Sequence, residues 1–86
     1  MTVISKFYGI VIHLLTHREP GAQFHAIYGD CELVVNVWPL RIVAGNAPRR
    51  VRDLVLEWAA VHQMELLAVW QRCQQGLEPI PIRPLV

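Results

Sequence analysis

The chain of 86 residues is long enough for one domain with a single hydrophobic core. Hydrophobic residues make up 53% of it, which is more apolar surface than one small core buries, so a protein partner is the first expectation. The formal net charge of +1 excludes a global basic field and argues against nonspecific binding to nucleic acid.

The two cysteines and the hydropathy pattern indicate the cellular compartment in which the protein is expected to work. Cys31 and Cys73 have no CxxC spacing and no second pair, so the sequence predicts reduced thiols and neither a disulfide scaffold nor a thiolate metal site. No stretch approaches the roughly 20 apolar residues of a membrane span, and the first residues lack a signal-peptide pattern. We therefore expect a cytoplasmic protein with no membrane association, no metal and no cofactor.

The first half of the chain predicts an antiparallel sheet of three to four strands. Residues 6–16 are rich in β-branched and aromatic side chains, which favours a first strand. Residues 17–23 contain Pro20 and Gly21 and predict a loop. Residues 40–44 suit a further short strand, so that the strands follow one another as a meander.

Gly29 and Asp30 predict a β-hairpin with a two-residue turn, because glycine at the first central position suits a type II′ turn. This turn determines which residues face each other across the hairpin. The predicted pairs are Tyr28 with Cys31, Ala26 with Leu33 and Phe24 with Val35 on the core side, and His25 with Val34 and Ile27 with Glu32 on the other side.

The second half of the chain predicts one long helix and an extended tail. Asn46 suits the N-cap, Pro48 the first turn and Gly76 the C′ stop, and the helix could kink near His62. Its apolar residues form one broad face that we expect to pack across the sheet. The predicted architecture is a single α+β domain over residues 1–86, with the antiparallel sheet in 1–45, the helix in 46–76 and a proline-rich extended tail in 77–86.

A second face of the predicted sheet also carries apolar side chains, and one helix does not cover it. The patch would measure on the order of several hundred Å², a size typical of an interaction site. Either a partner or the chain's own tail then covers it. The predicted partner-interface residues are Phe7, Val11, Leu15, Ile27, Val34 and Trp38.

Two histidines, His25 and His62, are the candidate catalytic residues. His25 lies on the second face near Glu32, and His13 comes close if its strand pairs with that of His25, so this group could bind a metal or transfer protons. The alternative is a solvent-facing or interface histidine. His62 falls within the apolar arc of the helix, either as a hydrogen-bonded core residue or as a proton-transfer group in a cleft.

Three arginines crowd the predicted first turn of the helix, where the macrodipole disfavours a cation. They are Arg49, Arg50 and Arg52. Asp53 lies four residues after Arg49 and three after Arg50, and Glu57 follows at helical spacing, which suggests a solvated ion-pair network. The other interpretation is a site for phosphate or an acidic partner, in which the arginines act together with helix amides.

Three blocks of sequence carry a family resemblance. They are FYGIVI at residues 7–12, FHAIYG at 24–29, and PRR at 48–50 followed by LVLEWA at 54–59, His62, ELL at 65–67 and Trp70. Together they resemble a bacterial family of small proteins catalogued as a domain of unknown function, number 4160. Members of that family are often encoded beside a second small protein, of unknown function number 2442, in arrangements like toxin–antitoxin pairs.

The resemblance implies a growth-inhibiting toxin of the type II class, neutralised by binding a small cognate antitoxin protein. The family usually has Pro-Pro-His-Phe-His before the Tyr-Gly turn, whereas residues 21–25 read GAQFH, so only His25 remains of the two histidines. A role that needs the His-x-His pair is therefore not expected. Two alternatives stay open: an enzyme acting on RNA or a nucleotide, and a noncatalytic regulatory or adaptor protein that forms a homodimer.

Overall fold

A computed structural model describes residues 2–15 and 21–85 of the chain. In these residues an antiparallel sheet with strand order β1-β2-β3-β4-β5 precedes two helices. The strands are β1 (Thr2–Phe7), β2 (Ile10–Leu15), β3 (Gln23–Tyr28), β4 (Cys31–Asn36) and β5 (Arg41–Asn46), and the helices are α1 (Arg49–Val61) and α2 (Gln63–Gln74). The predicted α+β fold of three to four strands and one long helix is therefore wrong in both numbers, because the described residues form five strands and two helices.

The additional strand arises because the chain turns inside the predicted first strand. Tyr8 and Gly9 have φ angles of 51° and 79° and connect β1 to β2 as a two-residue hairpin, with Phe7 facing Ile10. Glycine adopts the left-handed region freely, but a tyrosine does so only at a steric cost. Turn propensity therefore does not predict Tyr8 in this position, and the β-forming residues around it conceal the hairpin.

The hairpin predicted at Gly29 and Asp30 is confirmed. Gly29 has a φ of 58°, which an L side chain rarely adopts. The register pairs Tyr28 with Cys31, Ala26 with Leu33, Phe24 with Val35, His25 with Val34 and Ile27 with Glu32, as the turn predicts. Since side chains alternate along a strand, this register fixes which residues of β3 and β4 share a face.

The single helix predicted over residues 46–76 is wrong, because two helices occupy this interval. Helix α1 begins at Arg49, after Asn46 has completed β5, so Asn46 is not the N-cap. His62, with φ −108° and ψ 21°, separates α1 from α2. Gln63 Nε2 donates a hydrogen bond of 2.6 Å to the carbonyl of Val37, which attaches the start of α2 to the end of β4. Helical hydrophobic periodicity continues across the break and does not reveal it.

The helices and the tail cover one face of the sheet around Trp58, which is fully buried. The ring centre of Trp58 lies 5.4 Å from that of Phe7 and 5.6 Å from that of Phe24. Its Nε1 donates a hydrogen bond of 2.9 Å to the carbonyl of Arg83 in the tail. The core also contains Ile4, Ile10, Ile12, Leu14, Ala26, Leu33, Val35, Val37, Val51, Val55, Ala59, Leu66 and Val69.

The tail lies along the outer edge of β1. Ile82 is buried in the core, and its N–H donates a hydrogen bond of 2.8 Å to the carbonyl of Ile4. An edge strand presents unpaired backbone groups, and a covering segment protects them. The tail therefore covers this edge at Ile4, and its buried residue lies on the helix side of the sheet.

Candidate interaction face

The sheet face opposite the helices carries three rows of side chains, which the strand register places side by side. The first row is Val3, His13, His25, Val34 and Ala44, the second is Lys6, Val11, Ile27, Glu32 and Asn46, and the third is Gln23, Asn36 and Arg41. These residues define the open face.

The apolar centre of the open face is half-buried by its own neighbours and otherwise exposed. Val11, Ile27 and Val34 retain intermediate exposure, whereas residues on the helix side of the same strands are buried. The buried residues of α1, α2 and the tail all belong to the core cluster on the other side of the sheet. Within residues 2–15 and 21–85, the helices and the tail therefore leave the open face uncovered.

Three of the six predicted interface residues, Val11, Ile27 and Val34, lie on the open face. The placement of Phe7 on this face is wrong: it is 6% exposed and packs on Trp58, because the turn at Tyr8 reverses the assumed strand parity. The side chain of Leu15 lies outside the described residues.

Trp38, the sixth predicted interface residue, lies away from the open face. It follows β4 and is 68% exposed, and it borders an apolar depression that Met64 and Leu67 of α2 also line. This depression is on the helix side of the sheet, because α2 lies there. The structure therefore separates Trp38 from the three aliphatic residues with which the sequence grouped it.

A pair of histidines occupies the centre of the open face. His13 of β2 lies directly opposite His25 of β3. Facing residues on antiparallel strands have Cβ atoms about 4.5–5.5 Å apart, so the two imidazoles are neighbours. His25 Nδ1 lies 2.6 Å from Glu32 Oε2, an ion-pair distance, although the two atoms do not have hydrogen-bond geometry. His13 Nδ1 is shielded from solvent and has no hydrogen-bond partner among the described residues.

The second catalytic candidate, His62, lies on the helix side and is not brought together with His25. Its side chain is 11% exposed, its Nδ1 lies 2.5 Å from Glu65 Oε1, and its ring centre lies 5.5 Å from that of Trp58. This is the environment of a hydrogen-bonded histidine at the edge of the core, which is one of the two interpretations of the sequence. A site that uses both histidines is not formed.

The arginines at the start of α1 lie in solvent. Arg49 Nε is 3.9 Å from Asp53 Oδ2, and Arg50 and Arg52 are exposed. An exposed ion pair contributes about 0–1 kcal/mol, so the arrangement corresponds to the solvated network. A groove leads to this helix start, with Asp30, Cys31, Glu32, Asn46, Ala47 and Pro48 as its lining. Its two carboxylates disfavour a bound phosphate.

Tyr8 is a residue that sequence reasoning missed. Its φ of 51° is unusual for a bulky side chain, and it is 55% exposed at one end of the sheet. Tyr28 lies at the same end, close enough to Gly9 that a Cβ there would be 3.4 Å from Tyr28 Cε1. A signal was present, since Tyr-Gly occurs at residues 8–9 and again at 28–29. Exposed tyrosines are frequent at protein interfaces.

The described residues form neither a metal-binding cluster nor a membrane-spanning helix. No group of three or more His, Cys, Asp or Glu residues in this part of the chain is arranged to hold a metal ion. None of the helices that the structure describes is long and apolar enough to cross a membrane.

Comparison with known proteins identifies one family. Residues 9–71 match the model of the family described as "Domain of unknown function (DUF4160)". The match spans 63 of the 86 residues, counted from 9 to 71 inclusive, and covers β2 to β5, α1 and most of α2. No curated protein and no solved structure matches the chain. The family resemblance predicted from the three sequence blocks is confirmed.

Proposed function

We propose that this chain, which belongs to the DUF4160 family, is the toxin component of a bacterial type II toxin–antitoxin pair. It inhibits growth in the cytoplasm until a small cognate antitoxin protein binds to it and neutralises it. The observation that supports this proposal most is the open face, where Val11, Ile27 and Val34 remain accessible in the described part of the chain. The antitoxin is proposed to cover this face.

The hydrophobic effect would drive this association. Burying roughly 200 Å² of apolar surface contributes on the order of 5 kcal/mol, at about 25 cal/mol per Å², before the costs of association. A standard interface buries about 800 Å² on each partner, so polar rim residues must contribute the remaining area. Lys6, Asn36 and Arg41 lie around the aliphatic centre and can form such a rim.

The histidine pair favours a second candidate function, an enzyme that acts on RNA or a nucleotide. A carboxylate beside His25 Nδ1 orients the ring and leaves the other nitrogen able to transfer a proton. In such an enzyme His13, not His62, would be the second proton-transfer group, because His13 is the histidine that faces His25. Substitution of His13 and His25 by Gln would then abolish growth inhibition.

The proposed function is tested by expressing the chain alone and together with the small protein encoded beside its gene. We expect growth arrest with the chain alone, relief on co-expression, and co-purification of the two proteins. Ile27→Glu on the open face should still arrest growth but no longer be relieved, because the added carboxylate lies opposite Glu32 and would be buried without a cation in the complex. Val61→Glu, at the exposed end of α1, is the matched control and should behave like the wild type.

Normal growth during expression of the folded chain alone would contradict the toxin proposal. A stable dimer by light scattering, combined with normal growth, would instead support the regulatory or adaptor protein that acts as a homodimer.

A further inference from the structure

The charges on the open face are unevenly distributed. Its cations are Lys6 in the second row and Arg41 in the third, on the two edge strands β1 and β5. Its carboxylate is Glu32, which lies 2.6 Å from His25 Nδ1 and is therefore already paired when that histidine is protonated. The face thus presents two cations and a histidine pair to a partner, and its one carboxylate already lies against His25.

His13 and His25 are the groups that a covering partner has to satisfy. The Nδ1 atoms of both rings are shielded from solvent in the free chain, whereas their Nε2 atoms are not among the shielded polar atoms of the described residues. A purely apolar partner would bury the Nε2 atoms without a hydrogen bond, at a cost of about 1–3 kcal/mol for each. A carboxylate placed over His13 and His25 could accept hydrogen bonds from both rings.

The chemistry of the surrounding face distinguishes between possible partners. A basic partner would place cations against Lys6 and Arg41, and like charges across an interface cost several kcal/mol. A second copy of the chain, docked face to face, would bring further lysine, arginine and histidine side chains to the same surface. An acidic partner pairs with all of these groups, while Val11, Ile27 and Val34 supply apolar contact.

We propose that the open face binds an acidic segment of the partner protein and that an Asp or Glu carboxylate of this segment lies between His13 and His25. This inference rests on the proposed function, since it specifies the chemistry of the same partner at the same face. Lys6 and Arg41 hold further acidic residues on either side of the histidine pair.

The histidine pair makes the complex dependent on pH. A carboxylate binds an imidazolium more strongly than a neutral imidazole, so acid should strengthen the complex. The charged groups nearest the pair in the register are Glu32 from β4, whose Oε2 lies 2.6 Å from His25 Nδ1, and Lys6 from β1, which lies in the second row. In the row of the pair itself, β5 contributes the uncharged Ala44.

The experiment is calorimetric titration of the full chain with the small protein encoded beside its gene, at pH 8.0 and pH 6.0. A charge-assisted hydrogen bond contributes about 1.5–3 kcal/mol, so the wild-type Kd should fall by about tenfold or more at the lower pH. His13→Gln and His25→Gln should each weaken binding at pH 6.0 by about tenfold and remove most of the pH dependence. Val61→Gln, at the exposed end of α1 and away from the open face, is the control and should retain both. Thermal unfolding of each variant shows that it is folded.

The outcomes separate this inference from the proposed function. A complex that forms, is lost with Ile27→Glu, and has the same Kd at both pH values in the wild type and the histidine variants overturns the acidic-segment inference alone. The interface on the open face would then stand. If no complex forms with the folded chain at either pH, both proposals are overturned.

Discussion

The two faces of the sheet are built from the same strands but differ in what covers them. Val34 and Val35 are neighbours in β4, yet Val35 is fully buried beneath the helices whereas Val34 remains partly exposed. Ile12 and His13 show the same contrast in β2. Since alternate residues of a strand point in opposite directions, apolar residues at both parities require two covers. In the described residues the chain supplies one, and this difference is the basis for expecting a partner.

The largest difference between the faces should appear in stability. Phe7→Ala removes a ring that packs on Trp58 in the core and should lower the free energy of unfolding by about 3–4 kcal/mol. Val11→Ala on the open face should cost less than about 1 kcal/mol, because the side chain is partly exposed in the free protein. Urea denaturation measures both. Equal losses would mean that the two faces do not differ in burial.

A smaller effect should distinguish two isoleucines of the tail. Ile82→Ala should lower the unfolding free energy by about 2 kcal/mol, since this side chain completes the core beside β1. Ile80→Ala, two residues earlier and exposed, should remain within about 0.5 kcal/mol of the wild type. If the two variants are equally stable, the tail does not contribute to the cover of the helix side, and the contrast between the faces weakens.

The smallest effect concerns Cys73, which packs against the core from α2. Burial raises the pKa of the Cys73 thiol, and the neighbouring Arg72 guanidinium partly offsets this. The folded state therefore favours the neutral thiol. Its contribution to stability is fully present below the pKa of an unfolded cysteine, about 8.5, and is lost as pH rises through the higher folded pKa. Unfolding measured from pH 8 to pH 10 should show a steeper decline for the wild type than for Cys73→Ser. Identical slopes would show that the thiol is not desolvated on the helix side.

Local chemistry was sufficient to predict some elements of the fold. Glycine and aspartate at residues 29–30 determined a hairpin and its register, because a two-residue turn allows one pairing of the flanking strands. Gly76 ends the helical region with a φ of 82° as predicted for a C′ glycine. In both cases the deciding interactions lie within a few residues of each other along the chain.

Other features depend on contacts that a local pattern does not contain. The turn at Tyr8 places a tyrosine where turn statistics favour glycine or asparagine, so the β-forming residues around it suggested one strand, and the face assigned to Phe7 was wrong as a result. The break at His62 accompanies the hydrogen bond from Gln63 to Val37, a tertiary contact within an unbroken helical periodicity.

The candidate site could be predicted only in part. The hairpin register placed His25 beside Glu32 from the sequence, since both lie on the two strands that the turn connects. The position of His13 depends on how β2 pairs with β3, and a long connection separates these strands. No turn signal fixes a register across such a connection, so the histidine pair emerged from the structure.

The central claim is that the partner covers the open face. Methyl NMR of the chain, titrated with the unlabelled protein encoded beside its gene, tests it most directly, because neighbouring residues report on opposite faces. We expect the methyl signals of Ile27 and Val34 to shift or broaden, and those of Leu33 and Val35 to keep their positions. Shifts confined to Met64 and other exposed groups of the helix side, with Ile27 and Val34 unchanged, would contradict the claim.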